Sequence, residues 1–172
     1  MRTCDELERL WSEADQLPQD TGTVNLICAR KGDGVHDVLE VGTLSTEAGL
    51  VGDRWADGKR KPGYQVTLMM TRVAEMICTD EQPLHMPGDN FLVDFDLSEA
   101  RVPAGTRIRL GAALLEVSSD PHTGCKKFNE RFGKEALHWI NEESGRLRHL
   151  RGINCRVIEG GEVRPGDTIR LA

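Results

Sequence analysis

Cys125 lies in a short segment whose residue types favour nucleophilic or metal-binding chemistry. The segment, Asp120 to Phe128, joins an apolar run to a stretch of helical periodicity, so the cysteine stands at a predicted helix start. The thiolate is the form that attacks carbon and ligates metals, and the positive end of a helix dipole stabilises it. Two lysines after the cysteine and His122 before it favour the same form. Cys125 is therefore the strongest candidate for chemistry in the chain.

The sequence leaves other interpretations of this segment open. A cysteine here can be a buried structural thiol. His122 and Cys125 together would supply only half of a zinc site, and the other histidines show no spacing that completes it. A cysteine-protease mechanism needs a base and an orienting partner that the sequence does not place. Gly124 adds one expectation, that a large ligand can approach the backbone beside the sulfur.

Three other segments carry polar groups that suit a ligand. Glycines flank a loop that ends in Asp53 and Arg54, where the carboxylate can fix a guanidinium for anion recognition or form an exposed surface ion pair. Asn90 follows a Pro-Gly-Asp turn and enters a strand, so its amide either serves the turn or hydrogen-bonds a ring edge. The basic segment from Arg148 to Arg151 either lines an anionic ligand site or forms a solvated turn.

Length and composition limit the class of protein. The chain has 172 residues, 38% of them hydrophobic and 29% charged, which fits one folded domain with a sizeable core. A net charge of −6 argues against a nucleic-acid polymer as partner. The N-terminus lacks the apolar core of a signal peptide and no apolar run reaches membrane-spanning length, so we expect a cytoplasmic protein without a membrane partner.

Cysteine usage gives no sign of a metal knuckle or a redox pair. The five cysteines are scattered, and no Cys-x-x-Cys pair is present. Cys28 and Cys155 lie in apolar strand-like runs, and Cys78 lies on an apolar helical face. We expect these three to be small buried hydrophobes.

The chain is predicted to consist of an N-terminal helical appendage, residues 1–20, and a main domain, residues 21–172. A helix from Thr3 to Leu17 is capped by Thr3 and ended by Pro18. A second begins at a capping Thr71, and a third, from Lys126 to Glu143, is weakened or split by Gly133. Strands are predicted over residues 24–29, 38–44, 65–70, 91–95, 106–110, 113–118, 154–158 and 168–171.

This pattern indicates a mainly β (α+β) fold. Many short strands, glycine-rich turns and two or three helices favour a closed or nearly closed β-barrel with peripheral helices. A mixed α+β sandwich is the alternative. Regular helical crossovers are missing from the pattern, which argues against a doubly wound parallel sheet.

The order of several segments, from about Val24 to the C-terminus, resembles the MOSC domain, named for the C-terminal region of molybdenum-cofactor sulfurases. Besides the Cys125 segment, the matching pieces run from Gly49 to Arg54, Gln65 to Met69, Pro87 to Phe91, Pro103 to Gly111 and Arg151 to Asp167. Family members often carry a proline directly before the cysteine and an arginine near the position of His122.

The resemblance implies a MOSC-like β-barrel that binds molybdenum cofactor (molybdopterin), with Cys125 as metal ligand or sulfur carrier. It carries the family's Asp–Arg loop onto Asp53 and Arg54, and the turn asparagine onto Asn90. The chemistry agrees, since molybdopterin combines a soft metal centre that accepts thiolate with an anionic phosphate. Asn90 can hydrogen-bond a pterin edge, and His122 belongs to the same predicted cofactor site. The side chains predicted to neutralise phosphate are Arg54, Lys126 and Arg151.

Two functions follow as hypotheses. The first is a molybdenum-dependent reductase of N-hydroxylated or similar small substrates, with Cys125 as molybdenum ligand. The sequence shows no flavin or iron–sulfur module, so its electrons would come from a separate reductase. The second is a non-catalytic carrier that holds a persulfide or the cofactor at Cys125. A barrel that has lost its chemistry is a third interpretation.

Overall fold

A closed barrel of seven strands forms the body of the computed structural model, which describes residues 1–58 and 61–172. The strands are β1 (Gly22–Gly32), β2 (Val35–Val38), β3 (Gly42–Ser45), β4 (Gly49–Leu50), β5 (Val66–Met70), β6 (Phe91–Asp94), β7 (Arg107–Leu110), β8 (Ala113–Val117), β9 (Ile153–Glu159), β10 (Gly161–Val163) and β11 (Thr168–Leu171). The helices are α1 (Cys4–Glu13), α2 (Thr71–Ile77), α3 (Lys126–Asn141) and α4 (Glu143–Leu147), with two short 3₁₀ turns, Arg54–Asp57 and Pro62–Tyr64.

The barrel closes because β1 pairs with both β6 and β11. Around the barrel the order is β1, β11, β7, β8, β9, β5, β6 and back to β1. Among the strands of the described residues, only β5 and β6 pair in parallel, and α2 provides the crossover between them, as a parallel pair requires. β2 extends the sheet beside β1, and β10, β3 and β4 form a separate small sheet. The β-barrel prediction is confirmed over the sandwich.

The burial of β5 shows how the barrel is covered. All five of its residues are buried, without the alternation of a half-exposed strand. One face of β5 belongs to the barrel interior and α2 packs against the strand from outside, so both faces need apolar side chains. The core continues through Phe91, Val93, Leu115 and Ile169, all fully buried.

Several predicted element boundaries are wrong, and three of them have a clear structural reason. The run from Val38 to Leu44 is two strands, because the chain leaves β1 after Leu39 and begins to pair with β10 at Gly42. The first helix ends at Glu13, although Thr3 caps it as predicted. Thr71 is the first residue of α2 rather than its cap, and its hydroxyl accepts a hydrogen bond from Asn25.

The third helix begins at Lys126 and is interrupted at Gly133 as predicted, but it ends at Asn141 rather than Glu143, where α4 begins. Gly133 has a φ of 84°, which interrupts the helical backbone of α3, a conformation that glycine adopts without strain. On either side of it Phe128, Phe132, Ala136 and Ile140 are buried, as their four-residue spacing predicted. Of the helices in the described ranges, none combines the length and the apolar character needed to cross a membrane.

The N-terminal helix α1 packs against α3. Leu7 is fully buried, which stabilises the docked helix by about 1.5–3 kcal/mol. The carboxylate of Glu8 accepts hydrogen bonds from Trp139 Nε1 at 3.0 Å and from Arg148 at 2.7 Å. Trp11 contacts the edge of the Trp139 ring. The division between residues 1–20 and 21–172 stays a prediction.

Candidate functional site

The sulfur-bearing residue Cys125 is exposed and lies on the wall of a cavity of about 200 Å³. It occupies the N-cap position of α3, directly before Lys126. Cys28, Cys78 and Cys155 are buried, as predicted. Burial raises the pKa of Cys28 to about 12 and that of Cys78 to about 11, so neither thiol ionises near neutral pH. The accessible position of Cys125 excludes its interpretation as a buried structural thiol.

The wall of the Cys125 cavity is strongly basic. Four arginines and one lysine line it, and its lining in the described part of the chain includes no aspartate or glutamate. The protein as a whole carries a net charge of −6. A concave surface with several cations close together favours anions, and Arg54, Lys127 and Arg131 contribute charge beyond the two arginines that are paired with buried aspartates, Arg30 and Arg151. These cations are Arg30, Arg54, Lys127, Arg131 and Arg151.

Arg30 is held in the wall by a buried network. Both carboxylate oxygens of Asp53 bind its guanidinium, at 2.9 Å each, and Asp53 also accepts the backbone N–H of Arg30. Burial works to raise the pKa of Asp53, but the hydrogen bonds and the charge of Arg30 outweigh it, so the carboxyl stays ionised. A bidentate ion pair of this geometry gives the guanidinium one orientation.

Asn90 lies behind this ion pair, fully buried. Its amide nitrogen donates to Asp53 at 2.9 Å and to the carbonyl of Cys28 at 3.1 Å. Its amide oxygen accepts from the backbone N–H of Thr67 at 3.1 Å and from Arg30 at 3.3 Å. The amide is saturated by protein partners, so Asn90 orients Asp53 and Arg30 instead of presenting a free amide edge to a pterin.

A second buried network holds Arg151 and His122. Arg151 donates to one oxygen of Asp89, and its guanidinium lies over the Phe128 ring at 5.4 Å from the centroid. The other Asp89 oxygen, Oδ1, is 3.5 Å from His122 Nδ1. Neither atom has a hydrogen-bond partner among the described residues. Burial, assisted by the charge of Arg151, lowers the pKa of His122 to about 3, so the imidazole is neutral at physiological pH.

A second cavity, of about 380 Å³, adjoins the first. The two share Arg30, Arg54 and His122 in their walls. The second cavity adds the rings of Trp55 and Tyr64. Its further lining residues include Thr67 and Asn154, and the side-chain oxygen of Asn154 is buried without a partner within the described ranges. The site thus has a cationic compartment with the thiol and a neighbouring compartment with aromatic walls.

Two side chains predicted from sequence lie differently from expectation. Asp53 pairs with Arg30 rather than with its neighbour Arg54, which lies in the walls of both cavities. Lys126 is exposed and lies 3.8 Å from Glu130, one helical turn away on α3. The lysine on the cavity wall is its neighbour Lys127.

The expectation for Gly124 is wrong. A Cβ at this position would lie 2.6 Å from Leu137 Cδ1 and 2.7 Å from Ile140 Cδ1, so the missing side chain makes room for α3 rather than for a ligand. Asn141 binds the same backbone twice, accepting the Gly124 N–H at 2.9 Å and donating to its carbonyl at 3.2 Å. Asn141 therefore positions the loop that presents Cys125.

Of the basic segment from Arg148 to Arg151, only Arg151 lies in the cavity wall. Arg148 pairs with Glu8 and lies over the Trp11 ring. His149 Nε2 lies 2.8 Å from Glu99, and its Nδ1 contacts the carbonyl of Leu97. Arg148 thus anchors α1, and His149 makes its contacts with Glu99 and Leu97 away from the Cys125 cavity.

Sequence reasoning missed Arg30, Asp89 and Arg131. Arg30 follows a buried apolar stretch of β1, and a cation at such a point is a signal for a buried anion partner. Asp89 directly precedes Asn90 in the same turn. Arg131 lies four residues after Lys127 on α3, so helical spacing alone places the two on one face.

The described residues of the site supply no preformed set of protein ligands for a bare metal ion. Among the described residues, no group of three or more His, Cys, Asp or Glu side chains is arranged to bind a metal. A metal at Cys125 would have to bring most of its ligands with it, as a metal in a cofactor does.

The profile of the MOSC domain matches residues 67–170, which is more than half of the chain. The chain belongs to the MOSC domain family. This family is associated with binding of the molybdenum cofactor. No curated protein matches the chain.

Several solved structures share the fold of this chain. The YUAD protein from Bacillus subtilis is 18% identical, with a TM-score of 0.61, and the match covers 90% of this chain and 97% of that one. YiiM from Escherichia coli is 20% identical, with a TM-score of 0.59 and coverage of 87% and 69%. YiiM from Geobacillus stearothermophilus is 15% identical, with a TM-score of 0.61 and coverage of 88% and 75%. At these identities the likeness shows the fold alone.

Proposed function

We propose that this MOSC protein binds molybdenum cofactor beside Cys125, its molybdenum ligand, and reduces N-hydroxylated or similar small substrates. The observation that carries the proposal is an exposed thiol on the wall of a cavity lined by four arginines and a lysine. A sulfur donor suits a soft metal centre, and guanidinium groups suit a phosphate. Arg54, Lys127 and Arg151 are available in the wall for that phosphate.

The donor set fits a metal that arrives with its own chelate. Cys125 supplies one protein ligand, and the described residues offer no three-residue metal cluster. Arg30 and Arg151 are each held by a buried aspartate, so binding an anion costs them little side-chain entropy. When bound, the cofactor would supply the redox-active metal that exchanges electrons with the substrate.

The proposed reaction requires a source of electrons and of protons. Reduction of an N-hydroxylated compound breaks the N–O bond, consumes two electrons and two protons, and releases the amine or amidine and water. Protons come from solvent. We propose a separate reductase as electron donor. A cytoplasmic location stays a prediction from composition.

The cofactor part of the proposal is tested by metal and pterin content. The protein is purified from a molybdenum-sufficient host, and molybdenum by elemental analysis and pterin fluorescence are measured on the same sample. Cys125→Ser should lose most of the molybdenum. Cys4→Ser is the matched control. The Cys4 thiol lies on α1 and is not part of the wall of the Cys125 cavity. Equal molybdenum content in all three proteins would remove Cys125 as the metal ligand.

The catalytic part is tested by turnover. The molybdenum-replete protein is given a chemical reductant and N-hydroxyurea, and urea formation is followed. We expect turnover that Cys125→Ser abolishes and Cys4→Ser preserves. A replete wild-type protein that leaves a panel of N-hydroxylated compounds unchanged would refute the reductase function while leaving cofactor binding intact.

The carrier function is the second candidate, and the exposure of Cys125 is the observation that favours it. A persulfide sulfur has to reach an acceptor on another protein, which an accessible thiol permits. Mass spectrometry would then find one added sulfur atom at Cys125, transferable to an acceptor, in a protein without turnover. An unmodified thiol in protein from sulfur-sufficient cells would argue against this alternative.

A further inference from the structure

The basic cavity beside Cys125 is rich in donors and poor in acceptors. Guanidinium and ammonium groups donate hydrogen bonds and accept none. Among its described lining side chains, the groups able to accept are His36, His122, Thr123 and the sulfur of Cys125, a weak acceptor as a thiol. His36 Nδ1 is engaged with the carbonyl of His85 at 3.0 Å. His122 differs from the others because it also lines the aromatic cavity.

The environment of His122 determines which of its nitrogens carries the hydrogen. Asp89 is fully buried and ion-paired with Arg151, so it is a carboxylate that accepts hydrogen bonds. Its other oxygen lies 3.5 Å from His122 Nδ1, close to but short of a formed hydrogen bond, and neither atom has a hydrogen-bond partner in the described part of the chain. A neutral imidazole satisfies this carboxylate only in the tautomer with the hydrogen on Nδ1. Nε2 then carries a lone pair.

The accessible edge of the ring is the one that carries Nε2. Nδ1 is a buried atom, whereas the side chain keeps 15% of its surface exposed and contributes to both cavities. Within the described ranges no protein group donates to Nε2. A ligand that spans the two cavities therefore meets the His122 acceptor among several cations at their junction, with the unpartnered side-chain oxygen of Asn154 as a further acceptor in the aromatic cavity.

We propose that His122 Nε2 is the acceptor that orients an O–H or N–H group of the ligand where the two cavities meet, with Asp89 as the positioning residue that selects the tautomer. This inference relies on the proposed function only for the identity of the ligand, whose N-hydroxyl group is the matching donor. A hydroxyl held in this way places its N–O bond between the thiol compartment and the aromatic one.

The tautomer is tested first, on the purified wild-type protein without any ligand. Nuclear magnetic resonance of ¹⁵N-labelled imidazole rings separates the two neutral tautomers by the shifts of their nitrogens. We expect the Nδ1–H form for His122. Asp89→Asn should change the tautomer ratio, because an amide can donate to Nδ1 where the carboxylate cannot. An Nε2–H form in the wild-type protein would overturn the proposal, whether or not the protein turns over.

The acceptor role is tested with a probe pair, N-hydroxyurea and its O-methyl ether, N-methoxyurea, which lacks the hydroxyl hydrogen. The ratio of their kcat/KM values, or of their Kd values in a protein without turnover, should favour N-hydroxyurea by roughly ten-fold in the wild type. His122→Asn keeps a donor for Asp89 but places no acceptor at the cavity, so the preference should disappear. His122→Gln reaches the Nε2 position and should restore part of it.

The matched control is His138→Asn, which removes an exposed histidine that is paired with Glu142 on α3. Its probe preference should equal that of the wild type. An unchanged preference in His122→Asn would overturn the acceptor role. If neither probe binds to or reacts with the replete wild-type protein, the proposed substrate class fails, and the tautomer then decides the proposal about His122.

Discussion

The buried imidazole of His122 should make the stability of the protein depend on pH above the range in which carboxylates titrate. Burial is the main cause that lowers its folded-state pKa, from 6.5 to about 3. The charges of Arg151 and Arg30 lower it further, and Asp89 opposes them. Below pH 6.5 the His122 imidazole therefore binds a proton in the unfolded chain but stays unprotonated in the folded chain. Stability is lost as the pH falls from about 6.5 towards 3.

The size of the effect follows from these two values. One pH unit within the window costs about 1.4 kcal/mol of unfolding free energy. Between pH 7 and pH 5, His122 alone should therefore remove about 2 kcal/mol. His122→Asn has no group to protonate in this range, so its loss should be smaller by that amount. Urea unfolding of both proteins at the two pH values, analysed with a common slope, measures the difference.

The control for this prediction is His138→Asn, which removes a histidine from the exposed surface of α3 and should keep the wild-type pH dependence. Other titrating groups are common to all three proteins and cancel in the comparison. If the wild type and His122→Asn lose the same free energy between pH 7 and pH 5, folding does not lower the pKa of His122, and the conclusion that burial keeps the imidazole neutral is wrong.

Three further substitutions test the supports of the site and the fold. Asp53→Asn leaves the Arg30 guanidinium without its buried counter-charge and should cost about 3–5 kcal/mol in urea unfolding; a loss below 1 kcal/mol would mean that water replaces the carboxylate. Gly124→Ala places a methyl group against α3 and should cost about 1–3 kcal/mol by thermal unfolding. Leu7→Ala should lower the free energy of unfolding by about 2–5 kcal/mol if α1 unfolds together with the barrel. If α1 detaches before the barrel unfolds, the free energy of barrel unfolding should not change.

Local patterns were sufficient for most of the fold. Alternating apolar residues, Pro/Gly turns and four-residue helical spacing are properties of adjacent residues, so the strands and the buried stripe of α3 were predictable. The split between β2 and β3 was not, because it depends on where the chain exchanges β1 for β10 as its partner. Pairing partners distant in sequence leave no signal in the segment itself.

The same limit applies to the site. Cys125 was identifiable from its neighbours, because the charges and the helix start that surround it are contiguous in sequence. The partner of Asp53 was not, since Arg30 lies 23 positions away and only the barrel brings the two together. Lys126 and Lys127 are chemically alike, and the rotation of α3 alone determines which one lies on the cavity wall.

The amino-acid sequence by itself determined the family, the β-rich architecture and the residue that carries the thiol, because each of these follows from local composition and order. Only the tertiary structure decided which cations surround that thiol, which aspartates orient them and which nitrogen of His122 is accessible. These properties arise from contacts between β1, α3 and the loops before β6 and β9. The polar contacts among them are strong because they are buried, and burial exists only once these distant segments have packed together.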